Sequence, residues 1–192
     1  LKYLFAYTVP ISVYISFITT GIWTYSAVFY VFLLIPLLDF LFGETEENLS
    51  NNDASYQNKK WIFDIMLYFN VPIIFGLLYV IFSLFQVNNY NTFETIGLAL
   101  STGILLATNG INVAHELGHR KPYFERLLSK LLYMPCLYMH FYIEHNFGHH
   151  LHVATSEDGA TAKYNQSVYS FWITSVTKQY FDAWKNQKKL LK

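Results

Sequence analysis

NVAHELGHR (Asn112–Arg120) and IEHNFGHHLH (Ile143–His152) bound a stretch, Ala114 to Thr155, that holds all seven histidines of the chain. Two H-x-x-x-H pairs within about forty residues have the spacing of a metal centre, because side chains at i and i+4 lie above one another on one helical face. Ligation rich in imidazole and free of thiol suits iron, zinc, copper or nickel. It disfavours calcium and magnesium, which want oxygen. The sequence around this stretch is apolar, so its reading depends on a bilayer.

Composition points the same way. Of 192 residues, 53% are hydrophobic, 19% aromatic and only 14% charged, where a soluble domain carries about a quarter charged residues. Net charge is zero, so no global field draws nucleic acid or an acidic partner, and no nucleic-acid partner is expected. Cys136 is the single cysteine, which excludes a disulfide framework. The chain opens on Leu1 and closes in the basic run 185–192, and it reads as a fragment.

Four runs have transmembrane character: residues 4–23, 27–42, 61–85 and 92–114, against the roughly 20 apolar residues that span a bilayer core. Thr24 to Ser26 is the expected first turn, Pro36 kinks the second run, and Trp61 anchors the third at the interface. Gly43 to Lys60 is an acidic, solvated linker, and Gln86 to Asn91 an uncharged turn. Asn91 and Glu94 have the spacing of a capping box at the start of the fourth run. Lys2, Lys59, Lys60, Arg120, Lys121, Arg126 and Lys130 fall on one side and the two short turns hold no Lys or Arg, which predicts a cytoplasmic N-terminus, linker and histidine region. Leu127 to Tyr142 is too short to cross if both histidine pairs serve one site, so a re-entrant or interfacial helix is expected there. Tyr169 to Trp184 has the pattern of an amphipathic surface helix. The expected fold is an all-α integral membrane bundle of four transmembrane helices, forming a single membrane domain over residues 1–192 with the histidine-box region at 115–155.

Within the fourth run, Thr108, Asn112, His115 and His119 form a polar stripe at i, i+4, i+7 and i+11. Such groups at membrane depth face a bundle interior, although Asn112 and Thr108 also suit a plain interhelical hydrogen bond. On an ideal helix His145, His149 and His152 share a face, with His150 about a quarter turn away. His115, His119, His145, His149 and His150 exceed what one tetrahedral site takes, which argues for two metals. His140 and His152 are candidates to orient a ligand, and Glu116 and Glu144 are either hydrogen-bond acceptors for ligand histidines or interfacial charges.

These residues carry a resemblance. NVAHELGHR, then HFYIEHNFGHHLHVATSEDGATA (His140–Ala162), with PLLDFLFGETEENL (Pro36–Leu49) in support, resembles the membrane-bound alkane 1-monooxygenases of the integral-membrane fatty acid desaturase and hydroxylase superfamily. The resemblance implies that His115, His119, His145, His149 and His150 are iron ligands of a two-iron centre. It further implies dioxygen as co-substrate, terminal hydroxylation of medium- or long-chain n-alkanes or alkyl chains, electrons from rubredoxin and its reductase, and a bacterial inner membrane. Val31, five residues before Pro36, matches the family position associated with chain-length limits. The family also places an H-x-x-H-H box later in its chain, whereas histidine ends here at His152. The chain is therefore expected to be the N-terminal half of a longer hydroxylase.

Three other readings compete. A desaturase or hydroxylase of the same superfamily would differ only in how substrate sits against iron. A membrane zinc protease would use His115 and His119 as ligands and Glu116 to activate water; it leaves the second histidine cluster without a role. A non-catalytic membrane metal-binding protein would hold metal without turnover.

Overall fold

A computed structural model of the chain describes residues 2–43 and 61–192. The acidic linker expected between Gly43 and Lys60, with Lys59 and Lys60 themselves, lies outside the described residues. The described residues are helical, without strands, and divide into two compact units, Leu1–Val113 and Ala114–Lys192.

In the first unit a 3-10 turn (Lys2–Tyr7) leads into α1 (Thr8–Ile18), followed by α2 (Gly21–Phe42), α3 (Trp61–Val87) and α4 (Thr92–Gly118), whose last turn enters the second unit. The helices α2, α3 and α4, at 22, 27 and 27 residues, are long and apolar enough to cross a membrane. Their outward side chains suit lipid rather than water: Phe40 and Phe42 are more than four-fifths exposed. The protein is accordingly an integral membrane protein.

The first apolar run is divided differently from its sequence expectation. Thr19 and Thr20 are extended, with Thr19 at φ −112° and ψ 170°, and Gly21 has a φ of 62°. The chain therefore turns at Thr19–Thr20, and Thr24–Ser26 is helical. A pair of β-branched residues followed by a glycine at positive φ favours a break that apolarity alone does not reveal.

Close backbone approach holds the start of α2 against α4. A Cβ on Gly97 would lie 2.4 Å from Thr24 Oγ1 and 2.6 Å from the Tyr25 ring. The hydroxyl of Ser101 donates to the Thr24 carbonyl at 2.9 Å. The expected capping box is present: Glu94 N donates to Asn91 Oδ1 at 3.0 Å and Asn91 N to a Glu94 carboxylate oxygen at 3.2 Å. The other oxygen of Glu94 accepts from Gly21 N at 2.8 Å, so one carboxylate caps its own helix and fastens the neighbouring turn.

Deeper in this unit, Asn109 Nδ2 donates to Asn70 Oδ1 at 2.8 Å, and Asn70 donates back to the Met66 and Leu67 carbonyls. Asn109 stands in a π-helical turn, Leu106–Ile111, which adds a residue to the turn and shifts the register of everything above it. The stripe expected at uniform helical spacing is broken there: Asn109 is buried and Asn112 is exposed. A second π-turn, Tyr30–Leu34, contains half-buried Val31. An apolar groove of about 710 Å³ runs between α1 and α3, past Tyr7, Ile11, Tyr14, Ile65, Phe69 and Gly76.

The second unit contains α5 (Tyr123–Tyr133), α6 (residues 140–152) and α7 (Val168–Leu190). Leu127 to Tyr142 is two helices rather than one, because Pro135 cannot continue α5 and Leu137 takes a φ of 53°. Ser129 donates to the Ala114 carbonyl at 2.6 Å, pinning α5 to the last turn of α4. Helix α7 is amphipathic in an inverted sense. Its buried positions are Ser175, Gln179 and Ala183, while Trp172, Ile173, Val176 and Trp184 are exposed.

Gly97→Ala is expected to destabilise the first unit by about 1–3 kcal/mol, the usual cost of overpacking a tight contact. A lower unfolding midpoint in detergent checks it; an unchanged midpoint contradicts the close contact.

Candidate metal centre

Two helical segments present the histidines. His115 is on the α-helical final turn of α4 and His119 just beyond it, so this pair keeps the expected i, i+4 relation, with Nε2 atoms 3.1 Å apart. The second cluster departs from expectation. Residues His145–His149 form a π-helical turn, so the side chain returning beneath His145 is the one at i+5. His150 Nε2 lies 3.1 Å from His145 Nε2, and His149 is turned aside. Gly148 permits this, since a Cβ there would lie 2.9 Å from Glu144 Oε1 and 3.0 Å from Asn186 Nδ2.

His145 is the hub. Its Nε2 lies 2.7 Å from that of His115 and 3.1 Å from those of His119 and His150. One imidazole nitrogen offers either a single N–H or a single lone pair, so a hydrogen bond satisfies one of these approaches at most. A cation satisfies all of them. With metal–nitrogen bonds of roughly 2.0–2.1 Å, neighbouring ligand nitrogens stand about 2.9–3.4 Å apart, close to the spacings here. Burial, then the neighbouring His115, His150, His119 and His149, holds His145 down to about 3, so its ring is neutral and its lone pair is free to ligate at physiological pH. The donor set fits a borderline transition metal such as iron.

The other candidates are distributed around this hub. His149 stacks on the His145 ring with centroids 5.3 Å apart, and its Nδ1 lies 2.9 Å from Asp158 Oδ2. His140 packs edge-on against Tyr138 and Tyr180, and His152 lies 3.5 Å from Glu157; neither joins the cluster. Glu116 is half-exposed and pairs with Arg120 at 3.3 Å, which occupies the carboxylate that the protease reading needs as a base. Glu144 is buried beside Gly148, with Oε2 lacking a hydrogen-bond partner. Burial, reinforced by the charge of Asp158, pushes its carboxyl up to about 7.

Asp158 is a residue to which pattern reading gives no role at the histidine cluster. Its side chain is fully buried, accepting from Ala160 N at 2.9 Å and from the Thr161 hydroxyl at 2.5 Å. Burial works to raise this carboxyl, but the hydrogen bonds from Thr161, Ala160 and His149 outweigh it and keep it ionised. The short polar run DGAT (Asp158–Thr161) was the available signal: an Asp followed by Gly and Thr folds back on its own backbone.

An all-helical membrane protein whose helix ends gather imidazoles defines a class of integral-membrane histidine-box metalloprotein. A family model described as fatty acid desaturase matches residues 91–191. The chain belongs to the fatty acid desaturase family. It is 35% identical over 153 residues to alkane 1-monooxygenase 1 of Alcanivorax borkumensis, covering 79% of this chain and 37% of that protein. Alkane 1-monooxygenase of Pseudomonas putida matches to the same extent, 35% over 153 residues, with 79% of this chain and 37% of that protein covered. That of Ectopseudomonas oleovorans is 35% identical over 176 residues, covering 85% of this chain and 43% of that protein. The chain spans less than half the length of these curated relatives. Family membership removes the zinc-protease alternative.

Removing the hub should cost more than removing any outer residue. In the full-length protein, His145→Ala is expected to lower metal affinity by more than the roughly 10- to 100-fold that loss of an outer partner costs, while His140→Ala leaves metal content near wild type. Elemental analysis after dialysis against a weak chelator checks both.

Proposed function

We propose that the full-length protein is a membrane oxygenase that hydroxylates the terminal carbon of medium- or long-chain n-alkanes or alkyl chains. The observation that carries this reading is the convergence of His115, His119 and His150 on His145 through their Nε2 atoms. In the proposed site these four and His149 ligate two iron ions, with further histidines supplied by the rest of the full-length chain. Kinship with proteins named alkane 1-monooxygenase supports the choice of substrate class.

Iron, when bound, supplies the electron transfer and dioxygen chemistry. The balanced reaction is R–H, dioxygen, two electrons and two protons giving R–OH and water. The electrons come from rubredoxin and its reductase on the cytoplasmic side of a bacterial inner membrane. The residues of this chain would hold the metals through imidazole nitrogens, and the apolar helices keep the approach dry. An alkane partitions into the bilayer and reaches an apolar bundle laterally; the groove between α1 and α3 is suited to an alkyl chain. Val31, in the π-turn of α2, is proposed to leave the channel open to longer chains.

Membranes containing the full-length protein, supplied with reduced rubredoxin, n-octane and ¹⁸O₂, should yield 1-octanol carrying one ¹⁸O atom, and His145→Ala should reduce the yield to background. Unlabelled product, or an olefin in place of the alcohol, would count against hydroxylation. Val31→Trp should shift preference to shorter alkanes; an unchanged chain-length profile would remove Val31 from the channel.

A further inference from the structure

Asp158 has no role in the reading above, yet it is among the most completely enclosed charged side chains of the second unit, with its carboxylate fully shielded from solvent. It lies 13 residues beyond His145, outside both histidine motifs. Its two oxygens are differently engaged. Oδ1 accepts from Ala160 N at 2.9 Å. Oδ2 accepts from the Thr161 hydroxyl at 2.5 Å and faces His149 Nδ1 at 2.9 Å.

This arrangement leaves one tautomer for His149. A carboxylate has only acceptors to offer, and the Thr161 hydroxyl spends its proton on Oδ2, so the hydrogen between the ring and Asp158 belongs to Nδ1. The neutral ring then carries its lone pair on Nε2, the same atom through which His115, His119, His145 and His150 converge. The π-turn makes the assignment necessary. By bringing His150 back beneath His145, it leaves the His149 ring outside the four-nitrogen cluster, stacked on His145 and with its centroid 5.7 Å from that of His150. A ring in that place needs an anchor of its own.

We propose that Asp158 is a positioning residue for the metal centre, holding His149 by Nδ1 so that Nε2 is presented to a second metal ion beside the one at the His145 hub. The loop Asp158–Thr161 thereby belongs to the site although it touches no metal. Carboxylate partners of ligand histidines act this way by fixing ring orientation and tautomer. The inference rests on the metal-centre reading and is tested separately from it.

The test is anaerobic titration of full-length wild type, Asp158→Asn and Asp158→Ala with Co(II), followed by d–d absorption, with the thermal midpoint recorded for each. Asp158→Asn keeps the shape of the side chain but replaces one acceptor oxygen by a donor, so packing is preserved and the two-oxygen engagement is not. Wild type is expected to bind two Co(II) ions. Both variants should bind one with wild-type affinity and the other about 10- to 100-fold more weakly, with a changed d–d spectrum, and Asp158→Asn should keep its midpoint. If Asp158→Ala does not fold, Asp158→Asn decides. Two ions bound by Asp158→Asn with wild-type affinity and spectrum would overturn the proposal, and so would equal weakening of both ions together with a fall in the midpoint, which marks a purely structural role. A wild type that takes up no Co(II) would overturn the metal-centre reading itself.

Discussion

One imidazole nitrogen approached by three others cannot hydrogen-bond to all of them, and the second unit is built around such a crowding. His145 faces three imidazole nitrogens at 2.7 to 3.1 Å, and its neutral ring satisfies at most one of them. Positive charge at the focus removes the conflict, and the surrounding packing holds the rings in readiness. Ser129 fixes the end of α4 to α5. Gly148 lets α6 come close to Asn186 of α7 and to Glu144. On the proposed metal-centre reading, folding and metal capture are thermodynamically linked.

The membrane unit solves a different problem. Polar groups at depth must be paired, and here they are: Asn70 with Asn109 and Ser101 with the Thr24 carbonyl, while at the helix end Glu94 holds both Asn91 and Gly21. These bonds also set helix register, because each demands a particular residue at a particular height. Small residues complete the fit, with Gly97 placed where no Cβ can be admitted.

Much of this was legible in the sequence, for physical reasons. Long apolar runs announce membrane helices whatever their partners are, and the Asn91–Glu94 capping box is a local motif that needs no tertiary context. The His115–His119 pair obeys the α-helical period and was read correctly as facing one way. What escaped was everything that departs from that period. The π-turns at residues 106–111 and 145–149 bury Asn109 while leaving Asn112 exposed, and bring His150 rather than His149 beneath His145. A regular wheel carries no sign of them. The break at Thr19–Thr20 was hidden by apolar neighbours, and Asp158 by its place in a polar loop whose partner is fixed only by the fold.

The π-turn at His145–His149 has a consequence for how the chain tolerates insertions and deletions. Each residue of an α-helix advances about 100° around the axis, and a π-turn is in effect an α-helix that has gained one residue. Deleting Phe147 would restore the α-helical period: His150, now the fourth residue after His145, would still lie beneath it, while His149, now the third, would lose its seat beside Asp158. The extra residue of the π-turn thus serves the place of His149, not the contact between His145 and His150.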